Sequence, residues 1–124
     1  MPNERPVLNG TATELFGGIP VSDFEVSLDW YTRLFGAPPA FFPNDREAVW
    51  AVAEHRWLYI IVDAARAGGA IQTIMSSDLD ALLAAIATRG LTFAAEERPA
   101  PDTRKVMFHD PDGNEIGLGS IPSG

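Results

Sequence analysis

Two histidines and several carboxylates are the side chains with the clearest capacity for chemistry, because the chain contains no cysteine. His109 and Glu115 flank residues 110–114, Asp-Pro-Asp-Gly-Asn, a run with the composition of a tight turn. Such a turn would place His109 opposite Glu115 on paired strands, where the two could donate and accept a proton. The alternative is a surface charge pair at the end of a hairpin. His55 lies in another predicted turn and is expected to be solvated.

Two stretches have the spacing of one-sided helices. After Ser22, apolar residues recur at positions 24, 28, 31 and 35, and after Ser77 they recur at positions 79, 82, 83 and 86. We predict that each serine caps its helix, with an acidic residue three positions later reaching back, and that Gly36 and Gly90 end the helices. Positions 22 and 77 lie 55 residues apart, which indicates an internal repeat.

Strand-like segments surround both helices in the same order. One precedes each helix and three follow it, at residues 14–21, 40–42, 48–53 and 57–62, and again at 70–75, 91–95, 105–109 and 115–118. Neither half can bury its sheet alone. The sequence therefore predicts a single α+β domain over residues 1–124, made of two βαβββ modules at about residues 13–63 and 70–121, with a linker at 64–69.

Composition excludes several classes of partner. A chain without cysteine forms no disulfide and no thiolate zinc site. A formal net charge of −8 would repel a phosphate backbone, which argues against nucleic acid. No apolar run approaches the roughly 18 residues needed to span a membrane, and the N-terminus lacks a signal-peptide pattern. We therefore expect a cytoplasmic protein with neither membrane nor nucleic acid as a partner.

The repeat resembles the vicinal oxygen chelate superfamily, which includes glyoxalase I, extradiol dioxygenases and bleomycin-resistance proteins. The resemblance covers residues 14–121. It is carried by the repeat itself and by Val21-Ser22-Asp23, Trp30-Tyr31, Leu34-Phe35-Gly36 and the closing turn at residues 108–114. It implies a cupped mixed sheet with the helices outside and a small organic ligand inside. It also implies a homodimer.

Metal-using members of that superfamily place His or Glu at four cup-facing positions. The resemblance assigns these positions to Phe16, Tyr59, Ile71 and Gly117, none of which offers an imidazole or a carboxylate. We therefore expect no metal and no other cofactor, and neither glyoxalase I nor dioxygenase activity. Phe16 and Ile71 would give the cup an apolar floor, and Gly117 would leave room on it.

Aromatic and apolar side chains are the remaining candidates for ligand contact. Strand residues alternate between the two faces of a sheet, so Trp57 and Tyr59 share a face, whereas the facing of Trp50 depends on the exact turn. Met107 would lie opposite Gly117. The predicted ligand-binding residues are Phe16, Trp50, Trp57, Tyr59, Ile71, Met107 and Gly117. For each aromatic side chain, the alternative is ordinary core packing.

Three functions fit these features. A binding protein similar to the bleomycin-resistance type would sequester an aromatic or cationic antibiotic or metabolite without a metal. A metal-independent lyase or isomerase would use His109 and Glu115 as its acid–base pair. In an interaction or regulatory protein, the cup would be collapsed. A fold alone does not choose among them, and we favour the binding protein.

Overall fold

The computed structural model describes residues 4–120. In chain order, the elements of this part are a short 3-10 helix (Leu8–Gly10), β1 (Leu15–Val21), α1 (Phe24–Phe35), β2 (Phe41–Asn44), β3 (Glu47–Ala53), β4 (Arg56–Val62), β5 (Ile71–Met75), α2 (Leu79–Thr88), β6 (Ala95–Ala100), β7 (Thr103–His109) and β8 (Glu115–Ser120). None of the helices in this part of the chain is long and apolar enough to cross a membrane.

The strands form two four-stranded mixed sheets with the same topology. Their orders are β1-β4-β3-β2 and β5-β8-β7-β6, and in each sheet the first strand of the module runs parallel to the last. The pairings repeat as well, because Val49 faces Tyr59 in the first sheet and Met107 faces Gly117 in the second. The predicted α+β class and the two βαβββ modules are therefore confirmed.

The hydrophobic core lies between the sheets and the two helices. One cluster of buried side chains draws on both modules and includes Ile19, Tyr31, Leu34, Ile86 and Leu118. The helices also meet at their ends, since the Arg89 guanidinium donates to the backbone carbonyls of Arg33 and Leu34. These carbonyls end α1 and lack partners inside the helix. The second module therefore supplies the cap for the first helix.

The closing turn before β8 fastens the second module to the first. Asn114 is fully buried, and its amide nitrogen donates to the carbonyl of Pro20 at 2.8 Å. The Asp112 carboxylate accepts from the backbone nitrogen and the hydroxyl of Ser22. The Tyr31 hydroxyl donates to buried Asp110 at 2.7 Å. Burial, and then the neighbouring Asp110 charge, raise the pKa of Tyr31 far above its ordinary value.

The prediction that Ser22 and Ser77 cap the two helices is wrong. The residue after each predicted serine is the cap: Asp23 accepts from the Val26 nitrogen at 3.1 Å, and Asp78 accepts from the Ala81 nitrogen at 3.2 Å. Ser22 instead donates its hydroxyl to the closing turn, a partner 90 residues away that local sequence does not reveal. Gly36 ends α1 in the left-handed conformation, with φ of 76°, as predicted.

The sixth strand was predicted too early. The interval proposed at residues 91–95 is largely irregular, and β6 runs over Ala95–Ala100 and contains Pro99. Because β6 is the edge strand of its sheet, it tolerates a residue that cannot donate a backbone hydrogen bond. All of its residues are exposed.

Candidate functional site

Strand alternation gives each sheet one face toward the helices and one open face. In the first module, Ile19 and Ile60 point into the core, so Phe16 and Trp57 lie on the open face. In the second module, Val106 and Ile116 point into the core, and residues such as Ile71 lie on the open face. We call these two open faces the cup. Large apolar side chains remain exposed there, with Phe16 at 47% and Ile71 at 69%, so the described chain does not fill its own cup.

An aromatic wall, which consists of Phe16, Phe41 and Trp57, forms the first-module half of the cup. The rings of Phe16 and Trp57 are stacked, with centroids 5.5 Å apart and planes 7° from parallel. The Phe41 ring meets Trp57 edge-on at 6.0 Å. Both phenylalanines are more than two-fifths exposed. Phe41 was not among the predicted ligand-binding residues, because its pairing with Val49, which places it on the cup face, is visible only in the folded sheet.

A carboxylate fixes the orientation of the tryptophan in this wall. The Trp57 indole nitrogen donates to Glu14 Oε1 at 3.0 Å, and His55 Nδ1 lies 2.5 Å from Glu14 Oε2. The indole hydrogen bond, followed by the hydrogen bond and charge of His55, lowers the pKa of Glu14. His55 is exposed, as predicted. Glu14 was not predicted as a site residue, because its partners lie more than 40 positions away.

Tyr59 lies across the neighbouring strand rather than pointing straight into the cup. Its phenol covers Gly18, where an added Cβ would lie 2.8 Å from both the hydroxyl oxygen and Cζ of Tyr59. A side chain at position 18 would therefore displace the phenol. Glycine at position 18 lets Tyr59 lie flat beside the aromatic wall. Phe16 lies two residues before Gly18 on β1 and on the same face of that strand.

The second-module half of the cup has the predicted register, since His109 faces Glu115 across β7 and β8. Register alone does not bring the two side chains into contact. His109 is exposed, and within residues 4–120 no hydrogen bond or ion pair joins it to Glu115. The charged group beside Glu115 is instead Lys105, whose Nζ lies 3.9 Å from Glu115 Oε2. The structure therefore does not assemble the proposed acid–base pair.

The space above Gly117 is occupied, contrary to the expectation of room there. A Cβ at Gly117 would lie 2.6 Å from Lys105 Cε and 3.4 Å from Thr73 Oγ1. The lysine stem therefore crosses β8 where the glycine has no side chain. Met107, directly opposite Gly117, is only 5% exposed and so presents little surface to a ligand. Lys105 and Thr73 were not among the predicted site residues.

Trp50 lies in the core and not in the cup. It is 3% exposed, its indole nitrogen donates to the carbonyl of Ala37 at 2.9 Å, and its ring packs against Tyr31 and Phe35. In the register of β3 and β4, Trp50 pairs with buried Leu58 and so points toward α1. Trp50 is therefore not part of the ligand site. The length of the turn between β3 and β4 sets the register that points Trp50 toward the core.

A cleft of about 440 Å³ lies where the two modules meet. Its walls include Leu15 and Trp57 from the first module and Gln72, Thr73 and Met75 from the second. This volume falls within the range of small-molecule sites. Trp57 belongs both to the aromatic wall and to the lining of the cleft, whereas Leu15 and Gln72 lie on the core-facing side of their strands.

The four positions that the resemblance assigns to metal ligands do not fit a divalent ion. Phe16 is stacked on Trp57, Tyr59 covers Gly18, Ile71 is exposed and Gly117 lies under the Lys105 stem. Divalent ions of the kind concerned prefer imidazole and carboxylate ligands. In the part of the chain that the structure describes, no three side chains among His, Cys, Asp and Glu come close enough to hold a metal ion.

Comparison with known proteins agrees with this architecture. Residues 13–118 match the family model described as the Glyoxalase/Bleomycin resistance protein/Dioxygenase superfamily. The chain belongs to this superfamily. It is 45% identical to a glyoxalase/bleomycin resistance protein from Catenulispora acidiphila DSM 44928, with a TM-score of 0.86 over 90% of this chain and 100% of that one.

More distant structures share the fold. TnmS3, an antibiotic binding protein from Streptomyces sp. CB03234, is 24% identical, with a TM-score of 0.69 over 90% of this chain and 97% of that one. A lactoylglutathione lyase from Agrobacterium tumefaciens is 14% identical, with a TM-score of 0.71 over 89% and 93% of the two chains. No protein of curated function matches the chain. A binding protein and an enzyme thus share this fold, so function must be argued from the site.

Proposed function

We propose that this protein binds a flat aromatic small molecule, such as an antibiotic or metabolite, and sequesters it without a catalytic metal. The observation that carries the proposal is the exposed aromatic wall beside the cleft between the modules. A flat ring system could extend the stack of Phe16 and Trp57 or enter the cleft against Trp57. Aromatic contacts of this kind contribute beyond the area they bury.

Charge favours a ligand that is neutral or cationic rather than anionic. The chain carries a formal charge of −8, and Glu14 lies against the edge of Trp57 with its pKa lowered, so it stays ionised at neutral pH. A cation over the face of an aromatic ring gains further attraction. The antibiotic-binding function named for TnmS3 agrees with this proposal as an analogy in fold.

A metal-independent lyase or isomerase remains the second candidate, and the structure supplies little for it. Its proposed residues, His109 and Glu115, share only their cross-strand position. A general acid or base must come within hydrogen-bond reach of the group it serves, and His109 is exposed. We therefore place binding ahead of catalysis.

We also propose that the protein works as a cytoplasmic homodimer, with one domain per chain and modules at about residues 13–63 and 70–121. The exposed apolar residues of the cup support a second copy, because a monomer rarely leaves such a contiguous surface uncovered. Absence of cysteine suits a reducing compartment. Sedimentation at several concentrations would test the dimer.

The experiment that tests the main proposal is thermal unfolding in the presence of ligands. The protein would be heated alone, with nickel, zinc or manganese, and with a panel of flat aromatic antibiotics. A ligand at a hundredfold excess over its Kd stabilises the native state by about 2.7 kcal/mol. At about 4 °C per kcal/mol for a chain of this size, the melting temperature would rise by roughly 10 °C.

A matched pair of variants makes the result specific to the aromatic wall. Phe41 and Phe42 are adjacent and similarly exposed, but only Phe41 contacts Trp57. Phe41→Ala should abolish most of the ligand-induced shift, and Phe42→Ala should leave it unchanged. If no aromatic compound shifts the transition, or if a divalent metal does, the proposal is wrong.

A further inference from the structure

Lys105 is the only lysine in the chain, and it lies on the cup face. Its neighbours along β7, Arg104 and Val106, point to the opposite face, where Val106 is fully buried. The Lys105 side chain is only 23% exposed. Lysine is among the residues that most often stay at the surface with their charge in water, so its place in the cup is a distinctive feature of the site.

The position of the ammonium depends on a glycine. The Lys105 stem lies over Gly117, where a Cβ would lie 2.6 Å from Cε and 3.5 Å from Nζ. Thr73 Oγ1 would lie 3.4 Å from the same Cβ, and Thr73 lines the cleft together with Trp57. The ammonium is therefore placed beside the cleft that holds the proposed ligand.

Among residues 4–120, the ammonium has an ion-pair partner but no hydrogen bond. Its distance to Glu115 Oε2 is 3.9 Å, which is longer than a hydrogen bond. Within the described residues, no acceptor takes any of its three protons. The Glu115 side chain, at 30% exposed, likewise has free acceptor capacity. A donor and an acceptor of opposite charge thus face the cup side by side and do not satisfy each other.

We propose that Lys105 and Glu115 recognise a neutral polar group that both accepts and donates a hydrogen bond, such as a carboxamide attached to an aromatic ring. This inference rests on the proposed binding function and names the ligand's polar end. Lys105 would donate to the carbonyl oxygen, and Glu115 would accept from the amide N–H. The ring would lie against Trp57, across the cleft.

The surrounding charges favour a neutral group over an ion. A ligand carboxylate beside Lys105 would also lie near Glu115 and near Glu97, the cross-strand neighbour of Lys105 on β6. A ligand cation beside Glu115 would meet the ammonium. His109, opposite Glu115, and Thr73 are the other polar side chains on this part of the face. A neutral amide satisfies both charged groups without placing like charges together.

Three naphthalene probes with the same ring test the proposal by isothermal calorimetry. These are 2-naphthamide, which accepts and donates; methyl 2-naphthoate, which only accepts; and 2-naphthoate, which is anionic. In the wild type, the amide should bind about tenfold tighter than either of the others. Lys105→Met and Glu115→Met should each reduce that preference to less than about threefold. Arg33→Met, which removes one positive charge from the surface of α1, should leave it unchanged.

The single lysine provides an independent readout. With carbon-13 in lysine only, the wild type should show one side-chain Cε signal in an NMR spectrum, and this signal should move at a lower concentration of the amide than of the ester. Far-UV circular dichroism of Lys105→Met and Glu115→Met, compared with the wild type, shows whether the variants are folded.

Each outcome separates the two proposals. If none of the probes binds, the proposed function fails. If amide and ester bind equally well to the wild type, or if the preference survives in both methionine variants, aromatic binding stands and the recognition by Lys105 and Glu115 is refuted. If 2-naphthoate binds best and only Lys105→Met removes that binding, the site is an anion site, and the role given to Glu115 is wrong.

Discussion

Removing the Asn114 side chain tests how strongly the closing turn holds the two modules together. The side chain is fully buried and makes four hydrogen bonds. Its amide nitrogen donates to the Pro20 carbonyl and to the Asp110 carboxylate, both at 2.8 Å. Its oxygen accepts from the backbone nitrogens of Gly68 at 3.0 Å and Ala70 at 2.9 Å. Asn114→Ala would leave all four groups without this partner.

The expected loss follows from these four bonds. A buried hydrogen bond contributes about 1 kcal/mol net, so four of them give about 4 kcal/mol of unfolding free energy. With a urea dependence of about 2 kcal/mol per molar, the unfolding midpoint should fall by roughly 2 M. Equilibrium urea unfolding, followed by tryptophan fluorescence, measures both quantities.

Asn44→Ala is the matched control. Asn44 is also an asparagine in a hairpin, but it is exposed and bonds only to Glu47 and the backbone of Arg46. We expect this control to lose less than about 1 kcal/mol, since solvent replaces its partners. If Asn114→Ala costs no more than Asn44→Ala, the closing turn does not fasten the modules as described.

Three further predictions concern single side chains. Tyr31→Phe removes the donor to Asp110 and should lower the free energy of unfolding in urea by about 1.5–3 kcal/mol. In Tyr59→Phe, where Tyr31 is the remaining tyrosine, Tyr31 should form no phenolate before the protein unfolds, because its pKa is raised. Titration of Tyr31 near pH 10 would contradict this. Glu14→Gln should flatten the dependence of the melting temperature on acidic pH. The reason is that the pKa of Glu14 in the folded protein is lowered from the ordinary value of 4.5. The ionised carboxylate therefore stabilises the fold above pH 4.5, and this stabilisation is lost as the pH falls through the folded pKa. A pH profile of the melting temperature that Glu14→Gln leaves unchanged would contradict this reasoning. Gly117→Ala should displace the flexible Lys105 stem at a cost below about 1 kcal/mol and shift the lysine Cε signal, and an unmoved signal would show that the stem does not lie there.

Much of the fold could be predicted because it follows from local periodicity. Helix α1 ends at Gly36 as predicted, α2 ends at its cap Arg89 directly before Gly90, and the last hairpin has the register that its Asp-Pro-Asp-Gly-Asn turn indicates. The cap of α1 was predicted one residue too early because Ser22, a good local cap, has a better partner in the closing turn. A competition of that kind is decided by tertiary structure and has no local signal.

The site was less predictable because its contacts join distant segments. The resemblance placed Phe16 on the cup face, and strand alternation placed Trp57 on the same face as Tyr59. The structure has Phe16 and Trp57 stacked there. The facing of Trp50 could not be predicted because one residue of difference in the turn between β3 and β4 reverses it. Lys105 and Glu14 were missed because their importance depends on a bare glycine and an indole on other strands.

The closing turn has a consequence for how this chain folds. It contacts Ser22, Tyr31 and Pro20 across sequence separations of 90, 79 and 94 residues. Contacts of such long range must wait for loop closure, and they slow folding relative to helical proteins of similar length. During synthesis, the first module is complete while the turn that partners it is still missing. The buried hydroxyl of Tyr31 then has no carboxylate until residue 110 has emerged, so the last hairpin to be made is the one that completes the first module.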